Sequence, residues 1–238
     1  MRTFLYTTTI ILLAIALQSC NFKSVRGNGN VTENIVNISD YNQIKFSGGA
    51  TLVYEQKADT TPYLRIEVDD NIFPLLIIES GDNTLSIKSK ENISPTRYNI
   101  YTNSSGLKGI TASGSIKAHL KGKVTTPEFN FCVSGSGNIQ ADSIISNIIR
   151  SSVSGSGNIT LVGKAGFVDS SISGSGKVNA ASLVADTVEC SVSGSGNFFV
   201  HAEKHLKVRV SGSGDVKYKG DPKIDQSISG SGKVIKAD

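Results

Sequence analysis

The tetrapeptide Ser-Gly-Ser-Gly occurs six times in the second half of this 238-residue chain. The copies begin at Ser134, Ser154, Ser173, Ser193, Ser211 and Ser229, so successive copies are 18 to 20 residues apart. A recurring period of this length indicates a repeat architecture, in which each repeat is one structural unit that stacks on its neighbours.

Apolar residues recur at three fixed offsets from the first serine of each copy. The positions five before, one before and five after that serine are apolar in all six repeats. Because these offsets differ by even numbers, the three side chains share one face of an extended chain. The position directly before the serine is β-branched each time: Val133, Val153, Ile172, Val192, Val210 and Ile228. The pattern predicts one continuous inward face, with the serines pointing outward.

Stacking is the arrangement that satisfies this pattern. The repeats show no helical period, and each has too few inward side chains to fold alone. If each repeat is one coil, its strands pair in parallel with the coils above and below at about 4.8 Å, and the inward columns merge into one core. We therefore expect an all-β fold with a parallel β-helix over residues 111–238. Repeats that vary between 18 and 20 residues, without a strict six-residue period, favour the right-handed form.

The two glycines of each copy are structural candidates. In an extended chain they would share the inward face with the apolar columns. Glycines there would let the wall bend or approach the opposite side, whereas glycines at positive φ would turn a corner of the coil. The pattern leaves both roles open for Gly135, Gly137, Gly155, Gly157, Gly174, Gly176, Gly194, Gly196, Gly212, Gly214, Gly230 and Gly232.

Residues 31–110 carry no copy of the tetrapeptide. Four segments have the composition of strands, and the Gly-Asp-Asn sequence at residues 81–83 is typical of a hairpin turn. This indicates an antiparallel β meander that caps the N-terminal end of the solenoid, where backbone groups and apolar side chains would otherwise be exposed. A degenerate first coil is expected at residues 112–116. The strand-like segments are 41–56, 63–68, 75–79 and 85–89.

The N-terminus has the features of a bacterial export signal. Arg2 precedes an almost wholly apolar segment that is the length of a signal-peptide core and short for a membrane-spanning helix. The Leu-Gln-Ser-Cys sequence that follows resembles the site at which bacterial lipoproteins are acylated on cysteine. We expect residues 1–19 to be a cleaved signal peptide, Cys20 to be the lipid attachment site, and residues 20–30 to be a flexible tether. The membrane is then a partner through the N-terminal lipid.

The charge of the mature chain is modest. Removal of residues 1–19 takes away one of the 24 basic residues and none of the 20 acidic ones, which leaves a formal net charge of +3. These charges are scattered without a long basic run, so we expect no nucleic-acid partner. No later stretch approaches 18 consecutive apolar residues, and we expect no further membrane span.

Several motif matches do not have the context that their chemistry requires. The Gly-Ser-Gly runs resemble part of a dinucleotide-binding loop, but strand-like residues follow them in place of a helix. A calcium-binding roll has a nine-residue period, which these repeats do not have. His201 and His205 stand four apart, but Ala202 occupies the position of the glutamate in a helical zinc motif. We expect solvated loop histidines, no metal site and no cofactor.

Cys132 and Cys190 are candidates for a disulfide in an exported protein. Their offsets from the neighbouring serines differ by one, so their side chains should face opposite sides of the wall. They also lie three coils apart, which is beyond disulfide reach. We expect two free thiols, with Cys190 in the core.

The chain resembles a known family through its recurrent Ser-Gly-Ser-Gly after valine or isoleucine, the polar residue that follows, and the preceding β segment. The family is described as "putative auto-transporter adhesin, head GIN domain", and the resemblance covers roughly residues 41–236. It implies a right-handed parallel β-helix and a lipoprotein of the type found in Bacteroidetes, and it transfers no catalytic residues. Surface lipoproteins of that phylum often carry acidic residues after the cysteine. Since residues 21–26 have none, we expect an outer-membrane lipoprotein with a periplasm-facing anchor.

Two classes of function fit these features. The first is a non-enzymatic, adhesin-like or scaffold module whose outward Ser, Asn and Lys stripes bind a glycan or a protein. The second is a carbohydrate-active enzyme, a polysaccharide lyase or hydrolase, which would need clustered carboxylates. Asp142, Asp169 and Asp186 lie at different offsets from their serines and should not stack. The sequence therefore favours the non-enzymatic module and predicts no catalytic residue, while it leaves the ligand and the oligomeric state open.

Overall fold

The computed structural model describes residues 23–237 and is almost entirely β-structure. The predicted signal peptide and the acylation site Cys20 lie outside the described residues. The described part of the chain holds no helix that is long and apolar enough to span a membrane. Its strands are β1 (Val25–Arg26), β2 (Val31–Asn37), β3 (Gln43–Gly48), β4 (Thr51–Gln56), β5 (Tyr63–Asp69), β6 (Leu76–Gly81), β7 (Thr84–Ser89), β8 (Ile93–Ser94), β9 (Tyr98–Ser104), β10 (Gly109–Gly114), β11 (Lys117–Gly135), β12 (Asn138–Gly155), β13 (Asn158–Gly174), β14 (Lys177–Gly194), β15 (Asn197–Gly212), β16 (Val216–Lys219), β17 (Lys223–Gly230) and β18 (Val234–Lys236).

Five long strands, β11 to β15, form the regular part of a parallel stack. β12 to β15 each run from one Ser-Gly-Ser-Gly segment to the next, and β11 begins just after the incomplete Ser-Gly-Ser-Ile copy at residues 113–116. Each of the five pairs in parallel with the coil before it and the coil after it. The β-branched residues that precede the tetrapeptides lie in register, from Val133 through Val192 to Ile228. The predicted parallel β-solenoid is confirmed, and its right-handed sense stays a prediction.

The stack begins earlier in the chain than the sequence pattern suggested. β3 pairs in parallel with β10, and β4 pairs in parallel with β11. Ser47 therefore aligns with Ser113, which aligns with Ser134. The antiparallel meander predicted for residues 31–110 is wrong for β3 and β4, which form a coil of the solenoid. The repeat pattern of this coil is hard to see in the sequence because Gly49 stands where the other repeats have their second serine.

The remaining N-terminal strands are antiparallel, as predicted. β2, β5 and β9 form one antiparallel group, and β6 and β7 form a hairpin. Asp82 and Asn83 have φ values of 47° and 58°, as the two central residues of a type I′ hairpin turn require. β9 pairs in parallel with β4, and β7 pairs in parallel with β3, so these strands join the first coil of the stack.

The three predicted apolar columns are inward and continuous. Ile149, Val153 and Ile159, one from each column, are at most 1% exposed. The inward side chains of the coils up to β16 belong to one core that also includes residues of β3 to β9, whereas Ile224 and Ile228 of β17, in the last coil, are 38% exposed. Two serines, Ser151 and Ser170, occupy inward positions, and their hydroxyls bond each other at 2.6 Å. These two buried hydroxyls are therefore tolerated in the core because each has its hydrogen-bond partner one coil away.

The two glycines of each tetrapeptide have different roles. The first has a φ between 110° and 131° in all six copies, a conformation that glycine adopts without strain. The second glycine is buried, and a Cβ at Gly176 would lie 2.6 Å from a methyl carbon of Val153 in the coil before it. Both roles that the sequence left open are thus present, a corner at the first glycine and a close approach at the second.

Backbone hydrogen bonds continue through each corner. The N–H of the second serine donates to the carbonyl of the first glycine in the preceding coil, for example from Ser195 to Gly174 at 2.9 Å. This brings successive corners so close that a Cβ at Gly194 would lie 2.6 Å from that carbonyl oxygen. The corner therefore excludes side chains at the first glycine both by its conformation and by the coil before it.

Residues 25–30, predicted as part of a flexible tether, are bonded to the body of the domain. β1 pairs in parallel with β8. The fully buried carboxylate of Asp69 accepts hydrogen bonds from the Gly29 N–H at 2.8 Å and from the N–H and hydroxyl of Thr96 at 2.8 and 2.7 Å. Burial by itself would raise the pKa of Asp69, but these hydrogen bonds lower it to about 2. The prediction of a flexible tether is wrong from Val25 onward, because the pairing with β8 and the hydrogen bond to Asp69 order this segment.

We expect Gly194→Ala to destabilise the protein by about 1–3 kcal/mol, because alanine is strained at this φ and its methyl group would meet the preceding coil. Gly49→Ala is the matched control, since Gly49 lies at a corner but has a φ outside the positive range and no atom within 4 Å of an added Cβ. Urea denaturation of both variants measures the difference. Equal midpoints would contradict the role assigned to the corner glycines.

We expect Asp69→Asn to lower the urea midpoint at pH 7, because an amide cannot accept all three hydrogen bonds. The folded-state pKa of about 2 lies below the ordinary value of about 3.9, so the ionised carboxylate stabilises the fold above about pH 4. That contribution is lost as the pH falls towards 2, and the gap between variant and wild type should shrink there. Exposed Asp59, changed to Asn, is the control. A gap that does not change between pH 7 and pH 2 would contradict this assignment.

Candidate functional site

Two columns of outward serines run along the solenoid just before the corner. One is formed by the first serine of each tetrapeptide, and the other lies two residues earlier in each coil. Between them stands the inward β-branched column, so both serine columns share the outer face. The earlier column consists of Cys132, Ser152, Ser171, Ser191, Arg209 and Ser227.

The two serine columns line a groove of about 410 Å³, which we call the serine groove. It spans five coils, from Ser152 and Ser154 at one end to Ser227 and Ser229 at the other. At about 4.8 Å per coil this is a length of about 19 Å along the solenoid axis. Among residues 23–237, Arg209 is the one charged residue in its lining. The serine groove is therefore an elongated, nearly neutral surface that presents hydroxyl groups at a regular spacing.

A second set of polar residues stands just after the corner. The Asn158 amide donates to the Asn138 side-chain oxygen at 2.7 Å, one coil away. In the next coils the Asn197 side chain accepts from the Asp215 N–H, and the Asp215 carboxylate accepts from the Lys233 N–H. In each of these bonds a side-chain oxygen accepts from the next coil along the axis, so this acceptor is already used within the protein.

The carboxylates that a hydrolase or lyase would need are not gathered. Asp142 accepts hydrogen bonds from His119 and the Gly122 N–H, and Asp186 accepts one from Lys204. Asp169 lies in a third column, aligned with Arg150 in the neighbouring coil. Within residues 23–237, no three His, Cys, Asp or Glu side chains are close enough to hold a metal ion together.

The histidines and cysteines take separate positions. His201 and His205 lie within β15, which corrects the expectation of loop histidines, and His201 bonds Glu203 at 2.8 Å. Both cysteines are free, as predicted. Cys190 is buried, and burial raises the pKa of its thiol. Cys132 is exposed at the head of the earlier serine column.

The earlier serine column was not predicted from the sequence. The first-serine column was expected because the tetrapeptide repeats without exception, whereas the position two residues before it holds cysteine or arginine in two of six coils. The alternation of inward and outward side chains along a strand could have predicted this column, since a residue at an even offset from an outward serine also points outward.

The fold and this surface define a parallel β-solenoid with a repeated polar face. The family model described as "Putative auto-transporter adhesin, head GIN domain" matches residues 40–222. The chain belongs to this family. No curated protein sequence matches the chain.

Solved structures support this assignment. A "putative lipid binding protein" from Parabacteroides distasonis is 31% identical, and the match covers 91% of this chain and 100% of that chain with a TM-score of 0.79. A "putative adhesin" from Bacteroides fragilis is 25% identical over 90% of this chain and 100% of that chain, with a TM-score of 0.84. A second "putative adhesin" from Parabacteroides distasonis is 32% identical over 90% and 100% of the chains, with a TM-score of 0.75.

Proposed function

We propose that this protein is a non-enzymatic, lipid-anchored binding module of the cell envelope that holds an extended, neutral glycan along the serine groove. The observation that carries the proposal is the groove itself, in which hydroxyls repeat over about 19 Å with one charged side chain in the lining. Glycan hydroxyls exchange hydrogen bonds readily with serine hydroxyls, which both donate and accept. The adhesin names of the family and of two similar structures support a binding role.

The carbohydrate-active enzyme is the weaker alternative. Glycoside hydrolysis uses a pair of carboxylates that flank one bond, at separations below about 10 Å. No carboxylate lines the serine groove. The three aspartates considered above lie in different columns and bond to basic or backbone groups or stand alone. We therefore assign the groove to binding without chemistry.

The anchor is the second part of the proposal. Acylation of Cys20 after cleavage at residue 19 would hold the protein at the outer membrane, and the absence of acidic residues at positions 21–26 favours the periplasmic side. The first described strand begins five residues after Cys20, a distance of at most about 18 Å. The antiparallel end of the solenoid would then lie next to the membrane, with the serine groove extending away from it.

The anchor is tested in cells. Wild type should incorporate a labelled fatty acid and resist protease added to intact cells until the cells are lysed, and Cys20→Ala should not incorporate the label. Degradation of the wild type on intact cells would contradict the periplasmic orientation, and a label that persists in Cys20→Ala would contradict the attachment site.

The serine groove is tested with full-length protein in neutral detergent against a panel of immobilised neutral polysaccharides. We expect Ser173→Tyr, which fills the centre of the groove, to weaken binding at least about tenfold. Ser182→Tyr is the matched control, since Ser182 is exposed on β14 outside the groove.

Equal binding by both variants, or no binding of the wild type to any of the polysaccharides, would overturn the glycan assignment. Release of new reducing ends from the polysaccharide by the wild type would overturn the non-enzymatic assignment.

A further inference from the structure

A second concave site lies at the N-terminal end of the solenoid, away from the serine groove. It has a volume of about 480 Å³. Its walls come from the corner between β3 and β4, the corner between β10 and β11, and the segment 94–99. We call it the corner pocket. These walls are far apart in sequence and meet only because β3 and β4 form a coil of the stack.

The lining of the corner pocket is cationic. Within the described part of the chain, Arg97 and Lys117 are the only charged side chains that line the pocket, and no carboxylate does. Among residues 23–237, neither cation lies within 4.0 Å of a carboxylate. The hydroxyls of Thr51, Ser94 and Ser115 stand in the same lining. The pocket thus combines two unpaired positive charges with several neutral donors.

Tyr98 adds an aromatic hydroxyl to the corner pocket. The residue is 7% exposed, and its ring packs against Phe46 at a centroid distance of 5.9 Å. Tyr98 also lines the corner pocket, and among the described residues its hydroxyl has no hydrogen-bond partner. Burial raises the pKa of Tyr98, so this hydroxyl stays protonated and available as a donor. Among the described residues no buried side-chain N or O atom lacks a partner, so this hydroxyl reaches solvent, where it can donate to water or to a ligand.

Two carboxylates bond to residues of the pocket lining. Asp69 accepts two hydrogen bonds from Thr96, and Glu67 accepts one from the Asn99 amide and pairs with Arg65. Neither carboxylate lies within 4.0 Å of Arg97 or Lys117, so neither forms an ion pair with the two cations.

We propose that the corner pocket binds a phosphate group. A guanidinium offers paired N–H donors that match two phosphate oxygens, and an ammonium adds a second charge. The Tyr98 hydroxyl and the serine and threonine hydroxyls supply further donors to the remaining oxygen. The phosphate could be carried by a soluble sugar or by a lipid headgroup, since Ser94 belongs to β8, which pairs with β1 near the N-terminus.

The probes are inorganic phosphate, glucose 1-phosphate with glucose as its neutral control, and phosphatidylcholine vesicles with and without phosphatidic acid. Full-length protein in neutral detergent is titrated with the soluble probes by calorimetry, and vesicle binding of unacylated protein (residues 20–238 with Cys20→Ala) is measured by flotation. We expect saturable binding of glucose 1-phosphate and none of glucose. Vesicle binding that requires phosphatidic acid would identify the lipid source, and binding of the soluble probes alone would identify the sugar source, each in support of the site.

Three variants distinguish specific phosphate binding in the corner pocket from nonspecific attraction to a positively charged surface. Arg97→Gln and Tyr98→Phe should weaken phosphate binding by at least about tenfold and about threefold, respectively, while Tyr98→Phe keeps the ring that packs on Phe46. Lys123→Gln removes an exposed cation from the same strand as Lys117 but outside the pocket, and should leave binding within about twofold.

Equal losses in Arg97→Gln and Lys123→Gln, an unchanged affinity in Tyr98→Phe, or no binding of any phosphate probe would overturn the proposal. The Ser173→Tyr variant should bind phosphate as the wild type does, so failure of one site is distinguishable from failure of the other.

Discussion

The backbone contact between successive corners is the constraint on which the rest of the structure depends. At each corner the second serine donates its N–H to the carbonyl of the first glycine in the coil before it. The two coils are then so close that no side chain fits at the first glycine of the serine's own corner. The contact fixes the register of every coil, because all residues before and after the corner are counted from it. The β-branched column, the apolar columns and the two serine columns are consequences of that shared register.

The same register links architecture to function. A side chain repeated once per coil becomes a column with a spacing of about 4.8 Å, so repetition of a short motif is enough to generate an extended surface. In the serine groove the result is a neutral face suited to an extended partner. Where the stack meets the antiparallel strands, the repetition ends, and different segments meet to form the corner pocket with Arg97, Tyr98 and Lys117. The proposed glycan-binding groove and the proposed phosphate site thus occupy different parts of one solenoid.

The sequence predicted what the period controls. The inward columns, the outward serines and the burial of Cys190 followed from even offsets along an extended chain. The coil formed by β3 and β4 was missed because Gly49 breaks the tetrapeptide and a long antiparallel excursion separates Ser47 from Ser113. The ordered conformation of residues 25–30 was not predicted because it depends on Asp69, a carboxylate that is distant in sequence. The corner pocket was missed for the same reason, since Tyr98 and Lys117 come together only in the fold.

Spin-label distances across the whole stack test the central claim most directly. Ser47 and Ser229 lie in one column, seven coil spacings apart through Ser113, Ser134, Ser154, Ser173, Ser193 and Ser211. With Ser47→Cys and Ser229→Cys in a Cys20→Ala, Cys132→Ser background, electron–electron dipolar spectroscopy should give one narrow distribution near about 34 Å, at about 4.8 Å per coil. A broad distribution, or a distance far from this value, would show that residues 43–56 do not belong to the stack and would contradict the account.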